Sequence, residues 1–458
     1  MRKKLEVFQS ILLVFLIALS LLLTLAIWNY QPNYEIAEDG TTTESKLSGE
    51  EETKRDLIKP AHIIFKEEDQ YLGLSKKEEE AELYKNILDV SLYNFEIVEE
   101  TEPSYFEGTR SVELVFPTSI PTNALYEMFK IDDRTIFESY FNRIYISLDR
   151  EKARQQVVFK NQDADGTDLT ATVQNFAQLI DLMDEQQIFE DLITYRKVNL
   201  YNEREVYIPE EPNLIGRIFR YTTVNPESVT LQTILFQNPS AIISEPNPDG
   251  GRIYTDGNRE VVVQGYQMDF TNFTVASSSD QQTQRNSPQG QGELGNQLLN
   301  QTINYVNSHN GWPVDQDVTF RLEELNVSTK QTDYRMTYEN YPVFSDVGLD
   351  QISVNMLEQS VYQYSRPLMK LTFSYDRRPT NLMSAEDLLG YLEESDKYEL
   401  DQILDISVGY RLEELVGEQY FDLIPTWNVE TFTGWEQIDP NAKPENQGGN
   451  ASNAMEPN

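Results

Sequence analysis

The feature that most constrains this chain is an uncharged apolar segment close to its N-terminus. No Asp, Glu, Lys or Arg occurs from residue 7 to residue 34, and the stretch 11–28 is almost wholly apolar, broken only by Ser20 and Thr24. As an α-helix rising about 1.5 Å per residue, residues 10–28 extend roughly 28 Å, which matches the hydrocarbon core of a bilayer. We therefore predict a single N-terminal transmembrane helix over residues 9–29.

The charges on either side of the apolar segment give it a direction. Arg2, Lys3 and Lys4 precede it, while acidic residues dominate the sequence after it. Because positively charged flanks remain in the cytoplasm, residues 1–8 are expected to be a cytoplasmic tail and the chain after Tyr30 to be extracellular. Trp28 and Tyr30 stand where aromatic side chains anchor a helix at the membrane interface. These five residues are the predicted membrane-interface anchors.

A cleavable signal peptide is the alternative to a retained helix. Signal peptides have an apolar region of about 7–15 residues that is followed by small residues at the cleavage site. Here the apolar run is longer, it ends in Ile-Trp-Asn-Tyr-Gln-Pro at 27–32, and no Ala-x-Ala pattern follows. The sequence therefore favours a retained anchor.

Small residues in the apolar segment predict a helix-packing face. Ser20 and Thr24 are four residues apart and so share one side of a helix, and Ala18 and Ala26 offer further close-approach positions. Small side chains allow helices to approach closely in lipid. We predict that this face binds another transmembrane helix; the alternative is that Ser20 and Thr24 bond their own helix carbonyls and face lipid.

Composition excludes several classes of protein. The formal net charge is −39, from 37 basic and 76 acidic residues, which is far too acidic for an electrostatic grip on nucleic acid. Such a charge ordinarily serves solubility; a dedicated acidic binding face is the alternative. The chain has no cysteine, so disulfides, thiolate metal sites and Cys nucleophiles are excluded.

The pattern after the apolar segment predicts an α+β, multi-domain ectodomain built mostly from antiparallel strands and helices. The predicted divisions are a flexible stalk at 30–59, an N-terminal unit at 60–165, a central unit at 166–276, a linker at 277–292, a C-terminal unit at 293–430 and a disordered tail at 431–458.

Local signals place some elements within these units. Ser75–Glu78 and Ser384–Asp387 match capping boxes at helix starts. Asp256-Gly257 between apolar runs predicts a hairpin with a type I′ turn. A helix is expected over about 293–307, with a buried stripe formed by Leu294, Leu298, Ile303 and Val306.

Motifs for catalysis or ligand binding are weak throughout. Gly290-x-Gly-x-x-Gly295 matches the dinucleotide fingerprint, but no strand precedes it, so we interpret the match as chance. Residues 163–168 resemble a calcium loop without its bidentate Glu. The two histidines, His62 and His309, are too few for a zinc cage. We predict no catalytic, cofactor-binding or metal-binding residue, although no carboxylate pair among so many acidic residues can be singled out or dismissed.

The junction after the apolar segment, Trp-x-Tyr-Gln-Pro-x-Tyr-Glu at 28–35, resembles the start of the YycH family. Further matches follow in the same order along the chain: Val-Phe-Pro at 115–117, Phe-Asn-Arg-Ile at 141–144, Ile-Tyr-Thr-Asp-Gly at 253–257, Tyr-Pro-Val-Phe at 341–344, Tyr-Ser-Arg-Pro at 364–367 and Pro-Thr-Trp at 425–427. Together they cover residues 1 to about 430.

The resemblance implies a regulator rather than an enzyme. Members of the YycH family are membrane-anchored accessory proteins of the WalK–WalR (YycG–YycF) two-component system of low-GC Gram-positive bacteria. It implies association with the sensor histidine kinase WalK and with a paralogous single-span protein, YycI, and control of cell-wall hydrolase genes, with no cofactor. It also implies that the C-terminal ectodomain unit resembles YycI. Two other functions remain open: an extracellular binding module for cell-wall polymer or a diffusible ligand, and a wall hydrolase with an unrecognised carboxylate pair.

Overall fold

The structure is a computed structural model. It describes residues 46–98, 110–133, 136–148, 156–162, 168–184, 192–276, 291–315, 317–357, 359–379, 382–415 and 420–438. Lys46 is the first residue of a compact unit that includes all of these ranges. Among the described residues, no helix has the length and apolarity that a membrane crossing requires. The predicted span, 9–29, lies outside them.

Ten strands form the first sheet: β1 His62–Glu67, β2 Gln70–Leu74, β3 Ser91–Val98, β4 Ser111–Pro121, β5 Lys130–Ile131, β6 Tyr140–Ser147, β7 Gln156–Lys160, β8 Asp168–Val173, β9 Leu192–Asn199 and β10 Glu205–Pro209. Their spatial order is β10-β9-β2-β1-β4-β6-β7-β8-β3-β5. Every pairing is antiparallel except that of β3 with β5.

Fourteen strands form the second sheet: β11 Ile215–Thr223, β12 Ile243–Pro246, β13 Arg252–Thr255, β14 Arg259–Gln264, β15 Gln267–Asn272, β16 Val318–Asn326, β17 Gln331–Tyr338, β18 Tyr341–Phe344, β19 Gln351–Leu357, β20 Ser360–Pro367, β21 Met369–Pro379, β22 Asp405–Glu414, β23 Tyr420–Thr431 and β24 Gly434–Ile438. The order is β12-β13-β14-β15-β20-β19-β17-β18-β22-β23-β11-β21, with β16 beside β17 and β24 beside β23. Within this sheet, only β18 and β22 pair in parallel among the described residues.

The α-helices of the described ranges are α1 Lys54–Leu57, α2 Lys77–Leu88, α3 Leu125–Met128, α4 Phe176–Asp184, α5 Val229–Leu235, α6 Phe273–Ala276, α7 Gln291–Asn307 and α8 Ala385–Glu394. The α+β class and the antiparallel character expected from the sequence are confirmed.

Helix α7 packs between the sheets and buries Leu298, Leu299, Ile303 and Val306. Leu294, which we expected in the same stripe, is 50% exposed, because Gly292 and Gly295 are the residues that face the first sheet at the start of the helix.

The sheets divide the chain elsewhere than at the expected boundary near residue 166. Strands β7 and β8, on either side of that position, pair with each other, for example through Phe159 and Leu169. The division lies instead between β10 and β11, after Pro209. Strand β24, at 434–438, falls in the expected tail, and Ile438 is buried there against the core.

Three local predictions met different outcomes. Ser384 caps α8 by accepting a hydrogen bond from the backbone N–H of Asp387, as expected. Ser75 does not cap α2, which begins at Lys77 after an uncapped Lys76. The hairpin at Asp256-Gly257 is present, but its turn is not type I′, because Gly257 alone in that turn has positive φ.

Candidate functional site

None of the predicted site residues lies in the described part of the chain. The packing face (Ala18, Ser20, Thr24 and Ala26) and the interface anchors (Arg2, Lys3, Lys4, Trp28 and Tyr30) all precede Lys46. The described residues nevertheless hold two features that bear on function: the segment 46–59, with which the described part of the chain begins, and a charged cleft between the sheets.

Residues 46–59, here called the strap, were expected to belong to a flexible stalk. They are bound instead to the end of α7. The backbone N–H of Leu47 donates to the carbonyl of His309 at 2.8 Å, and that of Glu50 donates to the carbonyl of Trp312 at 3.0 Å. Gly49 fits only because it has no side chain, since a Cβ there would lie 2.3 Å from the Trp312 carbonyl oxygen.

One side chain from α7 completes this attachment. The Asn307 Oδ1 accepts from the backbone N–H of Glu52 at 2.9 Å and from the Trp312 indole N–H at 2.6 Å. Its Nδ2 donates to the Glu52 carbonyl at 2.7 Å. Asn307 therefore ties the strap to a tryptophan that is fully buried.

The strap then crosses the junction of the two sheets. The Lys54 ammonium, buried with its side chain, donates to Glu127 of α3 at 2.6 Å and to Asn296 of α7 at 2.7 Å. Lys59 reaches Thr319 of β16 at 3.3 Å. Burial, aided by the carboxylate of Asp56, raises the pKa of Glu52 to about 7. The first described residues of the chain are thus bound to helices α3 and α7 and to strand β16 of the second sheet.

A cleft of about 1210 Å³ lies between the two sheets. Its lining comes from β1, β4, β6 and β10 of the first sheet and from β16–β19 and β22–β24 of the second. That volume is at or above the range of ordinary small-molecule pockets, about 300–1,000 Å³.

Most buried charges in the cleft are paired. Glu323 receives Nε of Arg335 at 2.9 Å and Nε of Arg321 at 3.4 Å. The second guanidinium edge of Arg335 binds Asp350. These two arginines hold the pKa of Glu323 below its usual value, although burial acts to raise it. Arg335 also lies 4.5 Å from the ring centre of Phe344.

Two carboxyl groups on the opposite wall of the cleft differ from these paired charges in having no ion-pair partner among the described residues. Asp405 of β22 and Glu430 of β23 are direct cross-strand partners, so both side chains project from the same face of the sheet. Among the described residues neither forms an ion pair with Lys or Arg. Burial, together with the carboxylates of Asp405 and Glu323, raises the pKa of Glu430 to about 8. Burial also raises the pKa of Asp405, which Arg204 opposes.

The fold that carries these features matches a known one. The crystal structure of YycH from Bacillus subtilis superposes with a TM-score of 0.66 at 16% identity, covering 86% of this chain and 99% of that one. The Bacillus subtilis (strain 168) protein named "Two-component system WalR/WalK regulatory protein YycH" is 20% identical over 93% of this chain and 95% of its own length.

Two family models settle the relationship. That of the YycH protein N-terminal domain matches residues 6–188, and that of the YycH protein C-terminal domain matches residues 203–445. The chain belongs to the YycH family. The boundary between the two models falls close to the passage from the first sheet to the second, after β10.

Within this YycH-family chain, the doubtful motifs of the sequence have structural roles. Gly292 and Gly295 of the apparent dinucleotide fingerprint lie in α7, where a Cβ on Gly295 would be 2.6 Å from the Tyr140 hydroxyl. His309 is buried with its Nε2 3.1 Å from the Tyr364 hydroxyl. Residues 163–167 of the apparent calcium loop are outside the described ranges.

Metal binding finds no support in the described ranges. Within them, no three His, Cys, Asp or Glu side chains are grouped as ligands.

Sequence reasoning missed the strap and the cleft. Asn307 and Glu52 are 255 positions apart in the sequence, so no local pattern indicates their contact. A polar composition is also common to solvated stalks and to bound segments, and does not distinguish them. The facing of Asp405 and Glu430 depends on strand register, which no local pattern in this YycH-family sequence specifies.

Proposed function

We propose that this chain is a membrane-anchored extracellular regulator that modulates the sensor histidine kinase WalK (YycG) together with YycI, and thereby controls WalR-dependent genes of cell-wall metabolism. The observation that carries the proposal is the match of both YycH domain models, which together span most of the chain. The curated relative is itself named as a WalR/WalK regulatory protein. In this proposal the chain crosses the membrane once, at 9–29, with a cytoplasmic N-terminus.

Contact with the kinase is assigned to the transmembrane helix. Ser20 and Thr24, with Ala18 and Ala26, supply a face that a kinase helix or the YycI helix approaches closely. Binding then shifts the kinase only by preferring one of its conformations, so the mechanism needs no chemistry in the ectodomain. As a further part of the proposal, the C-terminal unit shares the fold of YycI.

The strap gives the ectodomain a route to the anchor. The chain leaving the predicted helix enters the body at Lys46, and the hydrogen bonds of residues 47–52 hold it to the end of α7. A change at the sheet junction therefore acts on the segment that joins the anchor. The ectodomain would bias the anchor through this attachment.

Co-purification tests the assembly. The tagged full-length chain is solubilised from membranes in mild detergent, and bound proteins are identified by mass spectrometry. Recovery of a sensor kinase and a second single-span protein is expected. A stable, membrane-inserted protein that recovers neither would contradict the proposal.

Replacing Ser20 and Thr24 with Leu tests the assigned face. Because bulky side chains prevent close approach of the helices, kinase recovery should fall several-fold. Leu21→Ala together with Leu22→Ala is a matched pair of changes in the same turns and should retain the kinase. Unchanged recovery with the Leu variants would rule out this face.

Gly49→Ala tests the strap. Its added Cβ meets backbone at 2.3 Å and should loosen the strap, so the regulator's effect on kinase autophosphorylation should weaken while kinase binding remains. Gly390→Ala is the control, because a Cβ at Gly390 meets nothing within 4 Å. If both variants changed kinase autophosphorylation to the same extent, the strap would have no part in regulation.

A second candidate function, binding of cell-wall polymer, is favoured by the cleft volume and by its polar lining. Saturable retention of the full chain on purified wall material would support it.

A further inference from the structure

The wall of the cleft formed by β22, β23 and β24 carries polar side chains on one face. Strand register places Asp405 opposite Glu430, and Glu430 opposite Trp435. Two residues further along, Asn428 is opposite both Ser407 and Gln437, and therefore projects from the same face. The wall is a continuous surface across three strands.

This wall offers hydrogen-bond acceptors without matching donors. Asn428 is fully buried behind this wall, outside the cleft lining; its Nδ2 donates to the Thr426 carbonyl at 3.2 Å, while its Oδ1 has no partner among the described residues. The Asp405 carboxylate, which lines the cleft, accepts a hydrogen bond from the backbone N–H of Ile406 at 2.7 Å. Carboxylates that face a cleft are suited to a group that donates several hydrogen bonds.

The charge balance around Glu430 points to the same kind of group. The charged neighbours that act on it are the carboxylates of Asp405 and Glu323 and the guanidinium groups of Arg204 and Arg335. Across the whole cleft lining, eight carboxyl groups face four guanidinium groups. Arg335 is already committed to Glu323 and Asp350. The pKa of Glu430 is raised to about 8, so near neutral pH this side chain is protonated. The proton neutralises the carboxylate in place of a paired cation.

The rim of the cleft adds an exposed aromatic pair. Phe432, which follows Glu430 by two residues, is 63% exposed and lies with Tyr201 in an edge-to-face contact at 5.0 Å between ring centres. Aromatic faces attract cations and the alkyl stems that carry them. An apolar pair beside a carboxylate pair fits an alkyl chain that ends in a cation.

We propose that the cleft binds a basic side chain, Lys or Arg, of an extended peptide segment, with its cationic group between Asp405 and Glu430 and its stem against Tyr201 and Phe432. The cleft volume accommodates more than one residue of such a segment. The inference goes beyond the proposed function and does not rest on it, since it concerns the ligand class of the cleft and not the anchor.

The test is calorimetric titration of the detergent-solubilised full chain at pH 7 with acetyl-trilysine amide, in two buffers of different ionisation enthalpy. Saturable binding is expected, with release of about one proton per peptide, because the ammonium group replaces the Glu430 proton. Acetyl-tricitrulline amide, which is uncharged, should not bind.

A double variant separates this site from the general acidity of the chain. Asp405→Asn with Glu430→Gln should weaken trilysine binding at least tenfold and abolish proton release. Glu413→Gln with Glu414→Gln removes two carboxylates from the exposed end of β22 and should change neither the affinity for trilysine nor the proton release. Phe432→Ala should weaken binding about threefold with proton release intact.

The outcomes decide between specific and diffuse binding. Equal affinity for both double variants, or binding without proton release, would overturn the proposal. Thermal unfolding of each variant confirms that its fold is retained. Loss of kinase recovery in the co-purification experiment, with trilysine binding intact, would count against the proposed function alone.

Discussion

Beneath helix α7 the two sheets are joined by close apolar packing, whereas across the cleft they face each other through charged side chains. In the α7 junction Leu299 and Trp312 are fully buried, and Gly295 lets the helix approach Tyr140. In the cleft, Arg335 is equally buried, yet its neighbours are carboxylates and aromatic rings.

The difference between the two regions indicates that apolar packing under α7 stabilises the fold, whereas the charged cleft is suited to binding a ligand. Apolar contacts gain free energy in proportion to buried area and need no particular partner. A buried charge is tolerated only with matched partners, so a wall that lacks one is suited to an external ligand. We infer that the α7 junction fixes the relative position of the sheets and that the cleft is the surface available for binding.

The sharpest test of this contrast compares two tryptophans. Trp312→Ala should lower the free energy of unfolding by about 4 kcal/mol, because it empties a buried site and removes the indole bond to Asn307. Trp435→Ala, on the partly exposed cleft wall, should lower the free energy of unfolding by about 1 kcal/mol. Urea unfolding of the detergent-solubilised protein, followed by circular dichroism, measures both. Similar losses would show that the two regions contribute alike to stability.

A smaller effect is expected when a buried charge in the cleft loses its counter-ion. Arg335→Ala removes the counter-ion of Asp350 and leaves Glu323 with Arg321 alone, so it should lower the unfolding free energy at pH 7 by about 3 kcal/mol. Arg411→Ala, which breaks an exposed pair with Glu413, should cost below about 1 kcal/mol. If the Arg335 variant were no less stable than the Arg411 variant, the paired charges would be peripheral to the fold.

The contrast also explains what could be predicted from sequence. Helix α7 follows from local apolar periodicity, and the cap at Ser384 follows from side-chain geometry within four residues. Ser75 matches the same motif but fails, because Lys77 is buried against Glu80 and the helix starts there. Local signals therefore succeed where tertiary contacts do not compete with them.

Features that depend on distant partners were not predictable. The strap depends on Asn307 and Trp312, which are distant in sequence. The hairpin turn is a local exception, in which the Asp256 carboxylate accepts the backbone N–H groups of Asn258 and Arg259. The cleft depends on the register of β22, β23 and β24 and on the approach of a second sheet. The family resemblance could be recognised from sequence because its motifs are short and contiguous.

The last prediction concerns the wall that carries Asp405 and Glu430. Here the substitution is expected to raise the free energy of unfolding, whereas the preceding substitutions lower it. In the folded chain the pKa of Glu430 is about 8, above the ordinary value of 4.5. The unfolded chain therefore loses this proton at lower pH, so the native Glu430 destabilises the fold progressively as pH rises from about 4.5 to about 8. Glu430→Gln removes this penalty. Its stability should equal that of the parent at pH 4 and exceed it by about 2 kcal/mol at pH 8.5, below the full effect of the shift because Asp405 titrates with Glu430.

Unfolding of both proteins across this pH range measures the effect, with Glu414→Gln as the exposed control. A difference that does not change with pH would mean that Glu430 is ionised and already compensated in the native protein. A difference that grows with pH would show that the fold retains a carboxylate at the expense of its own stability. Because residues retained against stability are characteristic of binding sites, that result would identify the wall as a surface kept for a ligand.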